Sequence, residues 1–216
     1  MMEIMNFFDL KQLKLLELEV KKRILNDPAH DYSHIMRVYK NAKLILKNEN
    51  ANSVLVLASV LLHDIINYPK SDPRSKHSST KSAVLASKIL CKHGFSNSDI
   101  AIICDGIRDH SFSRGKIPKT IEGKILQDAD RLDALGSIGI ARVFTVGGFE
   151  QRFLYNYSDP FCKNRKPDDR IWTVDHFYRK LLTLEKKMNT KTGKKLAKQR
   201  KKIMINFLSQ MQKEIT

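Results

Sequence analysis

The doublet His63-Asp64 closes a nearly uninterrupted apolar run, Val54 to Leu62. An imidazole and a carboxylate are costly to bury unless each is paired or bound. A run this apolar predicts a buried helix, so its two polar residues should point into a cleft. A divalent metal is one of the few partners that uses both groups at once. Further groups of the right type are spread along the chain. His30-Asp31-Tyr32-Ser33-His34 holds two histidines four residues apart, which share a face if that turn is helical. Asp130 and Asp133 are three apart on one predicted helix face, and Ile107-Arg108-Asp109-His110 lies between. The order is a His, a His-Asp doublet, a lone His and then an Asp, each group on its own predicted helix.

Two or three imidazoles with two carboxylates suit one divalent ion: Mn, Fe, Zn, Ni or Mg, with the choice set by geometry and supply. A His-rich set argues against Ca and disfavours Mg alone. Such an ion acidifies a bound water and polarises an oxygen of its substrate. Charge that develops must be met by fixed cations. The segment after the doublet offers Lys70, Arg74 and Lys76, and Arg37 follows His34 by one turn. His30 is a candidate substrate contact, and His110 a candidate contact to substrate or metal. Asp133 can orient a ligand, act as the base for the attacking water, or pair with Arg131. Plainer readings stand beside these: loop cations facing solvent, a surface histidine at a helix end, a carboxylate that supports structure.

Longer stretches carry a resemblance. His63-Asp64-Ile65-Ile66-Asn67-Tyr68-Pro69-Lys70 with Pro73 and Ser78-Ser79, then Asp128-Ala129-Asp130-Arg131-Leu132-Asp133-Ala134-Leu135-Gly136-Ser137-Ile138-Gly139-Ile140-Ala141-Arg142, then Asp175-His176-Phe177-Tyr178-Arg179-Lys180-Leu181-Leu182, resemble a bacterial branch of the HD-domain metal-dependent phosphohydrolases. The similarity runs from about residue 25 to near the C-terminus. It implies that His34, His63, Asp64 and Asp130 are the metal ligands. Residue type and placement make Asp64 and Asp133 the candidate catalytic carboxylates, and Lys70, His30, His110, Arg37 and Arg74 the candidate substrate contacts. The implied activity is hydrolysis of a small nucleotide, foremost a nucleoside or deoxynucleoside triphosphate cut to monophosphate and pyrophosphate. A nucleoside monophosphate phosphatase is the alternative within that class.

Helices must position these groups. Periodicity and stop signals predict them over about Asp9–Leu25, Asp31–Lys47, Ser53–Ile66, Ser78–His93, Ser98–Asp109, Ile121–Leu135 and, briefly, Ile138–Thr145. Residues 147–171, with two glycines, two prolines and five aromatics, predict a long ordered loop, a cover for the cleft. Thr173 is the expected cap of a helix over Val174–Met188, and a last helix covers Thr192–Glu214. The expected fold is all-α: one helical domain over 1–216, with a motif core at about 26–145, the loop at 146–172, and C-terminal helices of 173–216 packed on that core.

The three cysteines have no close pairing, which suggests a reducing, cytoplasmic setting and buried thiols. The N-terminus lacks a basic start followed by a long apolar stretch, and no run is long enough to span a bilayer. Membrane association is therefore not expected. The net charge of +16 is concentrated after Arg179. It attracts phosphate-rich partners, so nucleic-acid binding by the tail is a second class of function. The tail lacks aromatics interleaved for stacking on bases, and a solvated face is the plainer reading. Self-association into a homo-oligomer is compatible with the sequence.

Overall fold

A computed structural model describes residues 6–23, 31–68 and 72–215. These residues form nine α-helices and no strand, as expected of an all-α chain. The chain divides into two compact units, with the boundary after Asp130.

The first unit holds α1 (Phe7–Lys21), α2 (Tyr32–Leu46), α3 (Ser53–Leu62), α4 (Ser78–Lys92), α5 (Asn97–Asp109) and most of α6 (Ile121–Asp133). Helix α3 is its axle. It is apolar on all sides, nine of its ten residues are buried, and it packs against α1, α2, α4 and α5. Burying each of its Leu and Val side chains contributes roughly 1.5–3 kcal/mol. Its start is set by Asn52, whose side chain accepts from the amides of Val54 and Leu55. The other helices turn one apolar face inward, including Leu16, Ile35, Ile45, Leu90, Ile103, Ile107, Ile125 and Leu126.

Two devices fix α6 within this unit. The buried Asn41 amide on α2 donates to the Ala129 carbonyl (3.0 Å), next to Asp130. Helices α5 and α6 also meet at two glycines. A Cβ on Gly123 would lie 2.7 Å from Pro118 Cβ and 3.1 Å from Gly106 Cα, so a side chain there would force the helices apart.

The second unit, from Arg131, holds the end of α6, α7 (Gly136–Phe149), α8 (Asp175–Arg179) and α9 (Lys191–Ile215). Helix α9 packs on α7, and Phe144, Phe177 and Phe207 cluster with ring centres 5.8–6.2 Å apart. The segment between α7 and α8 is organised around buried Asp175. Arg165 reaches both its oxygens (2.5 and 2.7 Å) and stacks over Trp172. Of its aromatics, Phe161 is buried, while Phe153 and Tyr157 are exposed.

Several boundaries differ from expectation. Helix α3 ends at Leu62, not Ile66, because His63 Nδ1 takes the Val60 carbonyl and the Ile65 amide turns back to Leu62. Helix α7 is longer than expected and contains its glycines; Gly147 there admits the Thr173 side chain. Thr173 is thus a packing residue, and α8 has no side-chain cap. The expected Val174–Met188 helix breaks at Lys180 (φ −132°, ψ −60°) into α8 and a 3₁₀ stretch, Leu181–Lys187.

Candidate metal centre

Four elements of the first unit bring their polar residues to one place. Asp31 caps α2 by accepting from the His34 amide (2.9 Å), which puts buried His34 in the first turn. His63 and Asp64 follow α3. His110 follows α5, and Asp130 lies on α6.

The imidazoles are oriented by backbone. His63 Nδ1 lies 2.7 Å from the Val60 carbonyl, and His110 Nδ1 lies 2.6 Å from that of Ile107. A carbonyl only accepts, so each Nδ1 carries the proton and each Nε2 presents a lone pair. These lone pairs face the cluster. His34 Nε2 is 3.6 Å from Asp130 Oδ1 and 3.8 Å from Asp64 Oδ2. His63 Nε2 is 3.6 Å from Asp64 Oδ2 and 4.0 Å from Asp130 Oδ1. His110 Nε2 is 3.7 Å from Asp64 Oδ1.

These separations are too long for hydrogen bonds. They lie near the ~3.0–3.4 Å that adjacent donors keep around an ion with bonds of about 2.1 Å. Two overlapping sets, His34-His63-Asp130 and His63-Asp64-His110, each place their donor atoms within 4.8 Å of one another. Among the described residues, fully buried His63 Nε2 has no hydrogen-bond partner. That would be costly unless the atom ligates something. Two carboxylates and neutral imidazoles match the charge of a dication, and the carbonyl end of α3 beside Asp64 favours a cation further. The donor set therefore fits one divalent metal.

Burial pushes the Asp130 carboxyl up, but the positive charge that His34, His63 and His110 carry when protonated outweighs it and holds its pKa below the ordinary value, so in the absence of an ion the carboxylate is favoured. Burial, aided by His63, pulls the His110 pKa down against the opposing pull of Asp64 and Asp130.

The other sequence candidates fall differently. His30 and Lys70 lie outside the described residues. Arg37 is half-buried on α2. Arg74 is exposed, held by both oxygens of Asp72 and stacked on Tyr68 (4.6 Å). Asp133, in the second unit, is buried and accepts from Arg142 (2.7 Å), while Arg131 donates to the Lys187 carbonyl. Burial raises the thiols of Cys104 and Cys162 to about 11 and about 12, whereas Cys91, expected to be buried, is exposed on the outer face of α4. The supporting amides Asn41 and Gln127 were not among the candidates; for Gln127 the signal is its place one turn before Asp130.

Known proteins are similar to this chain in sequence and fold. The family model for the HD domain matches residues 31–135. The uncharacterized protein YpgQ of Bacillus subtilis is 34% identical over 212 residues, covering 96% of this chain and 95% of its own. Its crystal structure in complex with ADP superposes with a TM-score of 0.74 at 31% identity, covering 96% of this chain and 97% of that one. An HD-superfamily hydrolase from Bacillus thuringiensis gives 0.75 at 31% identity, covering 95% and 97%. With the doublet, its distant partners and the helices that carry them all in place, the chain belongs to the HD superfamily of metal-dependent phosphohydrolases.

Proposed function

We propose that this chain hydrolyses a small nucleotide, foremost a nucleoside or deoxynucleoside triphosphate, to monophosphate and pyrophosphate in the cytoplasm. The observation that carries the nucleotide reading is the ADP complex of B. subtilis YpgQ, a relative aligned over nearly the whole chain. Its diphosphate-bearing ligand favours this over a monophosphate phosphatase.

In this reading His34, His63, Asp64 and Asp130 hold the ion, and His110 is a further contact to it. When bound, the ion supplies Lewis acidity toward a phosphoryl oxygen and acidifies a water. The protein does the rest. The Nδ1 bonds of His63 and His110 to backbone carbonyls keep their Nε2 atoms aimed without reorganisation. Asp64 directs one oxygen toward His63 and the other toward His110, so it can take up the proton released by the attacking water. Arg37, Arg74, Lys70 and His30 are the proposed phosphate contacts.

A nucleotide panel assayed with Mn²⁺, Zn²⁺, Ni²⁺ and Mg²⁺, reading phosphate and pyrophosphate separately, tests the proposal. Pyrophosphate release from triphosphates supports it, phosphate release from monophosphates selects the alternative, and no turnover of any nucleotide overturns it.

A second reading has one observation behind it: Lys191, Lys194, Lys195, Lys198 and Lys202 are all exposed on the first half of α9. Such a stripe suits the phosphate backbone of a nucleic acid. Salt-dependent retention of RNA or DNA that falls when these lysines are neutralised would support it.

A further inference from the structure

Gln127 lies on α6 one turn before Asp130 and is fully buried. Its amide nitrogen is 2.9 Å from the Lys116 carbonyl, 3.1 Å from that of Asp109 and 3.2 Å from that of His110. Two N–H groups thus serve three acceptors, one of them shared. The acceptors stand at both ends of the segment that leaves α5, passes the 3₁₀ turn Phe112–Arg114 and the left-handed Gly115, and returns toward α6. His110 sits at the start of that segment, with its ring further tied to the Ile107 carbonyl.

We propose that Gln127 is a positioning residue that sets His110 against the metal cluster. It couples α6, which delivers Asp130 directly, to the backbone that delivers His110. The same turn of α6 therefore fixes the spacing between two groups that face the ion from different helices. Without this amide the buried bonds to the Asp109 and His110 carbonyls and the part-buried bond to Lys116 would be lost, leaving the 109–116 backbone held less firmly. The inference rests on the metal-site reading above.

A double-mutant cycle on the full chain, stripped with EDTA and titrated calorimetrically with Mn²⁺, tests it. Gln127→Met keeps the length of the side chain and removes the donor. It should weaken Mn²⁺ binding by about 10–100-fold in the native background, and by less than about 3-fold when His110→Ala is already present. A purely structural role would lower the melting temperature without that non-additivity. Equal losses in both backgrounds overturn the inference, as does unchanged affinity in Gln127→Met. Gln127→Glu is the second variant should the first not fold; failure of both to fold makes the clamp a folding element only and also overturns it. If the native chain itself binds no Mn²⁺, the metal-site reading falls; if it binds and the cycle is additive, this inference alone falls.

Discussion

The close approach of α5 and α6 gives a sharp quantitative test. Gly123→Ala adds one methyl group to α6. By helix propensity alone the change should stabilise the chain by up to about 1 kcal/mol. The packing around Gly123 predicts the reverse. The new Cβ would stand 2.7 Å from Pro118 Cβ and 3.1 Å from Gly106 Cα, and neither neighbour is the end of a flexible side chain. The helices or the Pro118 turn must therefore move, at roughly 1–3 kcal/mol for such overpacking. Overpacking outweighs the gain in propensity, and the net expectation is a loss of about 1–2 kcal/mol. For a chain of this size that lowers Tm by about 3–6 °C. Gly148→Ala is the control: it lies in α7, exposed, with nothing within 4 Å of the added Cβ. It should leave Tm unchanged or raise it slightly. Thermal denaturation followed by circular dichroism reads both variants. Because α5 precedes His110 and α6 carries Asp130, Gly123→Ala should also weaken divalent-metal binding. A Tm for Gly123→Ala at or above that of the native chain would refute the close-packing reasoning.

Three further outcomes follow from the same structure. Asp64→Ala and Asp130→Ala should each reduce metal-dependent nucleotide hydrolysis by more than about 100-fold while the circular dichroism spectrum stays native; full turnover by either would remove the carboxylate from the site. Asp175→Asn weakens a part-buried ion pair with Arg165 and should destabilise the chain by about 1.5–3 kcal/mol in urea denaturation; a loss under about 0.5 kcal/mol would show that the pair is poorly coupled to folding. Glu17 is held at a pKa of about 2 by its hydrogen bonds from Lys21 and Tyr32, with Lys14 adding to them. Its folded value is below its unfolded one, so its stabilisation is present above about pH 4.5 and is lost as pH falls toward 2. Near the surface this amounts to at most about 1 kcal/mol. The stability gap between the native chain and Glu17→Gln should close over that window, and a gap that widens on acidification would contradict the assignment.

What could be read in the sequence divides along physical lines. His63-Asp64 stands out because a polar doublet after a greasy helix demands a partner; residue type and spacing leave His30 beside His34 and Asp133 beside Asp130, and the resemblance to the HD family selects His34 and Asp130. Helices with strong amphipathic periods and caps, such as α2 and α5, were placed to within a residue or two. Where tertiary bonds overrule local propensity, the sequence pattern misplaces the boundary. Helix α3 stops early because the His63 ring captures a carbonyl of the last turn. Helix α7 continues through its glycines because Gly147 accommodates Thr173. The helix after Thr173 breaks although no proline or glycine marks the break. Asn41, and Gln127 apart from its place one turn before Asp130, carry no such signal for another reason. Each is an ordinary polar residue on its own helix, and its importance lies in carbonyls that sequence spacing does not reveal. Asp133 shows the converse. Its spacing from Asp130 suggests catalysis, and the fold adds a pairing with Arg142 that the spacing does not reveal.

Everything proposed for the site requires that His34, His63, Asp64 and Asp130, with His110, surround one divalent ion. A crystal of the chain grown with Mn²⁺ and measured for anomalous scattering tests this most directly. The expected result is one strong anomalous peak about 2.0–2.3 Å from His34 Nε2, His63 Nε2 and the two carboxylates. No peak there, or a peak coordinated by other residues, would contradict it.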